Sequence, residues 1–167
     1  MTLLLNQRAS HLGDILISQK KRLTTAESCT GGLLAATLTD IAGCSAWFER
    51  GFITYSNESK TDLLQVRVNT LNTYGAVSEQ TAFEMAVGAL NNSRAALAIA
   101  ITGIAGPSGS TVYQPVGTVY IAWATPLVTP EVHKYHFTGN RYQVRQQTVS
   151  AALNIALIKR LLAIPCN

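Results

Sequence analysis

The sequence predicts an α/β fold, a three-layer α/β/α sandwich around a mixed central sheet. Three observations predict it. Segments of strand-like pattern alternate with segments of helical period along most of the chain. The run from Ala95 to Ile101 is apolar at every position, as in a strand covered on both faces. Two further strand-like segments, Val116 to Thr125 and Val132 to Phe137, then follow one another with no helical pattern between them, which makes the sheet mixed rather than all parallel.

Taken in order, Leu5, Ala9, Leu12 and Leu16 fall on one face of a first helix. Arg22 to Ala26, rich in threonine, reads as the first strand. Glu27-Ser28-Cys29-Thr30-Gly31-Gly32 is a polar, glycine-rich turn into a helix over the apolar run Leu33 to Ile41, broken by Gly43-Cys44-Ser45. Arg50 to Tyr55 reads as a second strand. Ser56-Asn57-Glu58 opens a helix carrying Lys60, Leu63 and Leu64. Ser78 caps the next helix, with Ala82, Phe83, Ala86, Val87 and Leu90 along it. The loop Thr102 to Ser110 follows the apolar strand, and the two late strands form a hairpin joined through Pro126 and Pro130. Gly139-Asn140 then opens one long final helix with Val144, Thr148, Ala151, Ile155, Ile158 and Leu162 as its buried stripe.

With 167 residues and a 47% hydrophobic fraction, the chain is sized for one domain over residues 1–167. Charged residues make up only 13%, so part of the surface is expected in a homo-oligomer interface, a dimer or larger. The net charge of +4 is scattered, and the one close cluster, Lys20-Lys21-Arg22, lacks interleaved aromatics. That argues against a nucleic-acid partner and suits a small anionic substrate. Cys29, Cys44 and Cys166 are odd in number and lack CxxC spacing, which points to reduced thiols and a cytoplasmic location. The apolar start is too short for a signal or a membrane span. Histidines and cysteines lack metal-ligand spacing, so no metal site and no cofactor are expected.

Open α/β sheets bind ligands beyond the C-terminal ends of their strands. Three polar loops lie at such ends: residues 27–32, residues 55–60, and residues 102–110, which open with Thr102 and Gly103. Thr30-Gly31-Gly32 at a helix start exposes backbone N–H groups that suit a phosphate or an oxyanion, although a plain tight turn asks for the same glycines. Ser28, between strand and turn, is placed either to attack a carbonyl or simply to cap the helix. None of His11, His133 and His136 falls in the three loops, and no GxSxG elbow exists, which disfavours a Ser-His-Asp triad. Lys60 serves as a base if desolvation lowers its pKa, and otherwise is an ordinary helix lysine. Tyr55 either relays a proton to these groups or is an ordinary strand tyrosine. Arg141, with Arg145 one turn on, suits a bidentate grip on phosphate. Cys29, with no histidine nearby, reads as a small buried hydrophobe.

Thr25-Ala26-Glu27-Ser28-Cys29-Thr30-Gly31-Gly32 resembles the opening motif of the CinA C-terminal domain family, whose members include bacterial nicotinamide mononucleotide deamidases. Further stretches fit the same pattern in order. They are Ala42-Gly43-Cys44-Ser45-Ala46-Trp47-Phe48, Gly51-Phe52-Ile53-Thr54-Tyr55-Ser56-Asn57, Lys60, Tyr74-Gly75-Ala76-Val77-Ser78, Ile101-Thr102-Gly103-Ile104-Ala105-Gly106-Pro107 and Pro115-Val116-Gly117-Thr118-Val119. The resemblance implies hydrolysis of a nicotinamide carboxamide to a carboxylate plus ammonia in pyridine nucleotide recycling. It implies Ser28 as nucleophile, Lys60 and Tyr55 as its activating partners, Arg141 as a substrate-binding residue, and phosphate held near glycine-rich backbone. It also implies a stand-alone form, without the extra N-terminal domain of many relatives. One loop departs from the pattern: Ser108-Gly109-Ser110 stands where relatives often carry Asp-Gly-Gly, and Gln114 where they often carry Lys. Those departures motivate an alternative reading, a catalytically weak or inactive nucleotide-binding or regulatory module.

Overall fold

A computed structural model describes residues 2–126 and 128–163, so Cys166 lies outside the described residues. The elements run α1 (Thr2–Ser18), β1 (Leu23–Glu27), α2 (Leu33–Thr39), β2 (Phe48–Ile53), α3 (Asn57–Leu64), α4 (Val68–Tyr74) and α5 (Glu79–Asn91). They continue with β3 (Leu97–Gly103), β4 (Thr118–Thr125), β5 (Val128–His136), α6 (Arg141–Ala152) and α7 (Ile155–Leu162). The sheet order is β2-β1-β3-β4-β5. β1 pairs in parallel with both β2 and β3, and the β3-β4 and β4-β5 pairs are antiparallel. The sheet is therefore mixed, as expected.

The apolar run of β3 hides an alternation of large and small residues. Leu97, Ile99 and Ile101 join one core with α1, α2, α6 and α7, alongside Leu23, Ile121 and Trp123. Ala98 and Ala100 point the other way, with Ala26, Ala122 and Ala124, onto Ala82, Met85, Ala86 and Ala89 of α5. Alanine on both sides lets α5 lie close to the sheet, and the two cores make three layers. Leu5, Ala9, Leu12 and Leu16 of α1 are all buried, as their spacing predicts.

Two expectations need correction, and one helix was not foreseen. The final helix is not continuous. It breaks after Ala152, and Asn154 starts α7 by accepting a hydrogen bond from the Leu157 N–H at 3.2 Å. An Asn at that point competes as a cap, which the apolar stripe does not reveal. The short helix α4 opens on Arg67 with no side-chain cap, so no sequence signal marks it. Pro130 lies inside β5 rather than in the hairpin turn, which an edge strand tolerates.

β5 is antiparallel to β4, which is antiparallel to β3, so β1, β2, β3 and β5 all end on one edge of the sheet. The loops after these four strands carry the residues considered next.

Candidate active site

Ser28 directly follows β1, and its N–H donates to Ile101 O at 2.9 Å, which seats the turn between β1 and β3. Neighbouring strand residues point to opposite faces. Ser28 therefore faces the α3 side, and Glu27 faces α2.

Lys60 arrives from α3. Ser56 and Ser59 form a reciprocal capping box that fixes where this helix begins. The start position aims Lys60 inward, and it is only 1% exposed. Its Nζ donates to Thr54 O at 2.8 Å and lies 3.2 Å from Ser28 Oγ, with Ser56 O at 3.4 Å. Burial pulls the Lys60 ammonium below the ordinary lysine range. A neutral Lys60 keeps two N–H bonds to carbonyls and turns its lone pair to the Ser28 hydroxyl. That is the arrangement of a nucleophile with an adjacent base.

Tyr55 is exposed, and its hydroxyl accepts from Arg141 Nη2 at 2.8 Å. The hydroxyl makes no hydrogen bond to Ser28 or Lys60; Tyr55 meets Lys60 only through its backbone carbonyl, which accepts from Nζ at 3.5 Å. Arg141, at the start of α6, also donates Nη1 to Gly106 O at 2.9 Å. Asn140 caps α6 through a capping box with Gln143, as the Gly139-Asn140 opening suggests.

Ser28, Lys60, Tyr55 and Arg141 line one cavity of about 320 Å³, together with Cys29, Thr102 and Gly103. Ala76, Val77 and residues 104–106, 108 and 109 complete its wall. Thr102 Oγ1 donates to Ala76 O at 2.7 Å, joining the β3 tip to the opposite rim. No histidine lines this cavity. Burial pushes the Cys29 thiol up to about 12, so it stays protonated at neutral pH and is no competitor as nucleophile. Among the described residues no three His, Cys, Asp or Glu side chains are grouped so as to hold a metal ion.

Thr30, Gly31 and Gly32 are not at this cavity, contrary to the expectation that their N–H groups receive substrate. The Gly31 N–H is bonded to Ser28 O at 3.0 Å, and the Gly32 N–H to Glu27 Oε2 at 3.1 Å. Thr30 is fully buried. The helix start is already occupied by the chain's own carboxylate.

The CinA C-terminal domain model matches residues 5–161. The chain belongs to the CinA C-terminal domain family. It is 50% identical over 149 residues to the nicotinamide-nucleotide amidohydrolase PncC of Escherichia coli K12, covering 89% of this chain and 90% of that protein. The crystal structure of the competence/damage inducible protein CihA from Agrobacterium tumefaciens superposes with a TM-score of 0.90 at 43% identity, covering 93% and 94% of the two chains. The CinA superfamily protein KP700603 from Klebsiella pneumoniae gives 0.88 at 41% identity, covering 98% and 99%.

In this CinA-family chain the departing loop is tied down. Gln114 Nε2 donates to Val77 O at 2.7 Å, bridging the loop to the facing rim. Reading the sequence missed the rim at Ala76 and Val77 and the cavity backbone at Gly106, because small residues and carbonyls carry no chemical signature. It also gave no role to Glu27, although that residue stands inside the matching motif.

Proposed function

We propose that this chain is a nicotinamide-nucleotide amidohydrolase, converting nicotinamide mononucleotide and water to nicotinate mononucleotide and ammonia. The observation that carries the reading is the buried Lys60 amine 3.2 Å from Ser28 Oγ at the floor of a cavity with Arg141 at its mouth. The names of the similar amidohydrolases supply the substrate.

Ser28 Oγ attacks the carboxamide carbon while neutral Lys60 takes the hydroxyl proton. Lys60 then returns that proton to the departing nitrogen, and ammonia leaves an ester on Ser28. Water attacks the ester, with Lys60 again as base, and frees the carboxylate. Arg141 uses two of its five donors on Gly106 and Tyr55, which fixes the guanidinium and leaves N–H groups for the substrate phosphate. Tyr55 acts through Arg141, as the shelf on which that guanidinium is set. Much of the acceleration comes from holding the amide against the nucleophile. The sparse charge and the exposed Leu3, Leu4 and Ile17 of α1 support a homo-oligomer, which sedimentation equilibrium reads directly, and the three cysteines without CxxC spacing support a cytoplasmic location.

Ammonia release from nicotinamide mononucleotide by the purified protein tests the reading. We expect turnover that a chelator leaves unchanged and that Ser28→Ala removes with the circular dichroism spectrum intact. Binding of the nucleotide without ammonia release overturns it.

A further inference from the structure

Behind the nucleophile lies a carboxylate that the mechanism does not use. Glu27 is 1% exposed and has no cation within salt-bridge distance among the described residues. Burying a carboxylate without a counter-charge is costly unless hydrogen bonds replace its water. Here Oε2 accepts from the Gly32 N–H at 3.1 Å and the Leu34 N–H at 3.0 Å, and Oε1 accepts from the Ala35 N–H at 2.8 Å. The N-cap of α2 is Gly32, which has no side chain to satisfy these donors. Glu27 does so from five residues upstream, closing the Ser28-to-Gly31 turn into a ring between its own backbone and its own side chain.

A second clamp comes from α6. Arg145 Nη2 donates to Thr30 O, at the centre of the same turn, at 2.6 Å. The turn needs outside support because Gly31 and Gly32 are consecutive left-handed residues, at φ +55° and +94°. Such backbone is free to rearrange unless its polar groups are held. The Ser28 backbone anchors one end of the turn to β3, but its side chain adds nothing to the hold, since Oγ has Lys60 as its one hydrogen-bond partner among the described residues.

We infer that Glu27 and Arg145 are positioning residues that hold the Ser28 turn in its attacking conformation from the face opposite the cavity. The inference rests on Ser28 being the nucleophile. Glu27→Gln keeps the size but turns an N–H donor toward at least one of the three backbone N–H groups. Arg145→Gln is too short to reach Thr30 O, and Arg145→Lys keeps a cationic donor. Arg145 lies on a partly exposed helix position, so its variants test the clamp where Glu27→Gln fails to fold.

Two readouts are taken at a temperature where circular dichroism shows each variant folded. One is kcat and KM with nicotinamide mononucleotide. The other is the rate at which a small dialkyl phosphorofluoridate labels Ser28, followed by mass spectrometry. In that reaction the serine oxygen bonds to phosphorus, fluoride leaves and Lys60 takes the proton, so no nucleotide is involved. We expect kcat and labelling rate to fall together by roughly tenfold or more in Glu27→Gln and Arg145→Gln, with KM within about twofold, as for a misplaced reacting group. Arg145→Lys should recover part of both. A lower melting temperature with labelling and kcat unchanged makes the two residues merely structural and overturns the inference. Labelling of the wild type without nucleotide turnover rejects the substrate alone and leaves the clamp to be judged by labelling. Wild-type protein that resists labelling at Ser28 overturns the nucleophile and the clamp together.

Discussion

Lys60 is a base only while it is neutral, and its burial decides when that is. A lysine amine in water is protonated at neutral pH, whereas in this site desolvation outweighs the opposing pull of Cys29 and Glu58. The neutral fraction rises with pH, so kcat/KM should climb along an acid limb whose midpoint lies below the ordinary lysine value. A pH profile from the ammonia assay measures it, and a midpoint at or above that value removes Lys60 as the base. Linkage carries the same sign. The unfolded chain binds this proton more tightly, so the Lys60 contribution to stability grows as pH rises from the folded-state pKa to the ordinary one. Arg141 yields a separate prediction. Its loss removes charge-assisted bonds worth about 1.5–3 kcal/mol, so Arg141→Ala should raise KM for the nucleotide by roughly 10- to 100-fold. KM for the riboside, which lacks the phosphate, should barely move, and an equal rise for both rejects the phosphate contact. At this scale the sequence set Ser28, Tyr55 and Lys60 in strand-end loops, and the family resemblance joined Arg141, at the start of the last helix, to them; all four line one cavity. The turn motif suggested that Gly31 and Gly32 offer their N–H groups, but a glycine motif does not tell whether those groups are free. That depends on where the Glu27 side chain folds.

Helix α3 delivers Lys60, and its far end packs hard against α5 at Gly88. A Cβ added at Gly88 would stand 1.9 Å from Leu64 O and 2.7 Å from Leu64 C. That neighbour is backbone and cannot swing aside, so Gly88→Ala must push the two helices apart. Overpacking of this kind costs about 1–3 kcal/mol. At about 2–4 °C per kcal/mol for a chain of this size, the melting temperature should fall by roughly 2–12 °C. Because the displaced helix carries Lys60, kcat should drop as well, and thermal denaturation with steady-state assay reads both. An unchanged kcat would show that the Ser28–Lys60 contact is held independently of α5. Glycine at position 88 reads in the sequence as a weak spot in a helical pattern, and its reason lies in a segment more than twenty residues away. The uncapped α4 escapes for the same reason, since tertiary packing rather than local propensity decides a short helix, whereas the break before α7 is a local cap at Asn154 set within an apolar stripe.

The whole molecule gathers four strand ends at one edge, and the path of the chain explains why the site opens beside β1. From β1 the chain leaves to β2 through α2 on one face, and it reaches β3 through α3, α4 and α5 on the other. Opposite-face connections on the two sides of one strand leave a crevice at its C-terminal end. Ser28 occupies that end, and the loops after β2, β3 and β5 wall it. A ligand entering the crevice touches parts of the chain more than a hundred residues apart, so its binding should stabilise the fold as a unit. Ser28→Ala isolates this effect, since it removes turnover without touching Arg141 or the rim. Nicotinamide mononucleotide at 100 times its Kd adds about 2.7 kcal/mol to the native state. At about 2–4 °C per kcal/mol, the melting temperature of that variant should rise by roughly 5–10 °C. The riboside at equal concentration should give a smaller rise, and adding Arg141→Ala should erase the difference between them. Equal shifts from the two ligands in Ser28→Ala would mean that the phosphate meets no charge in the crevice, leaving the mouth of the cavity without the role given to it.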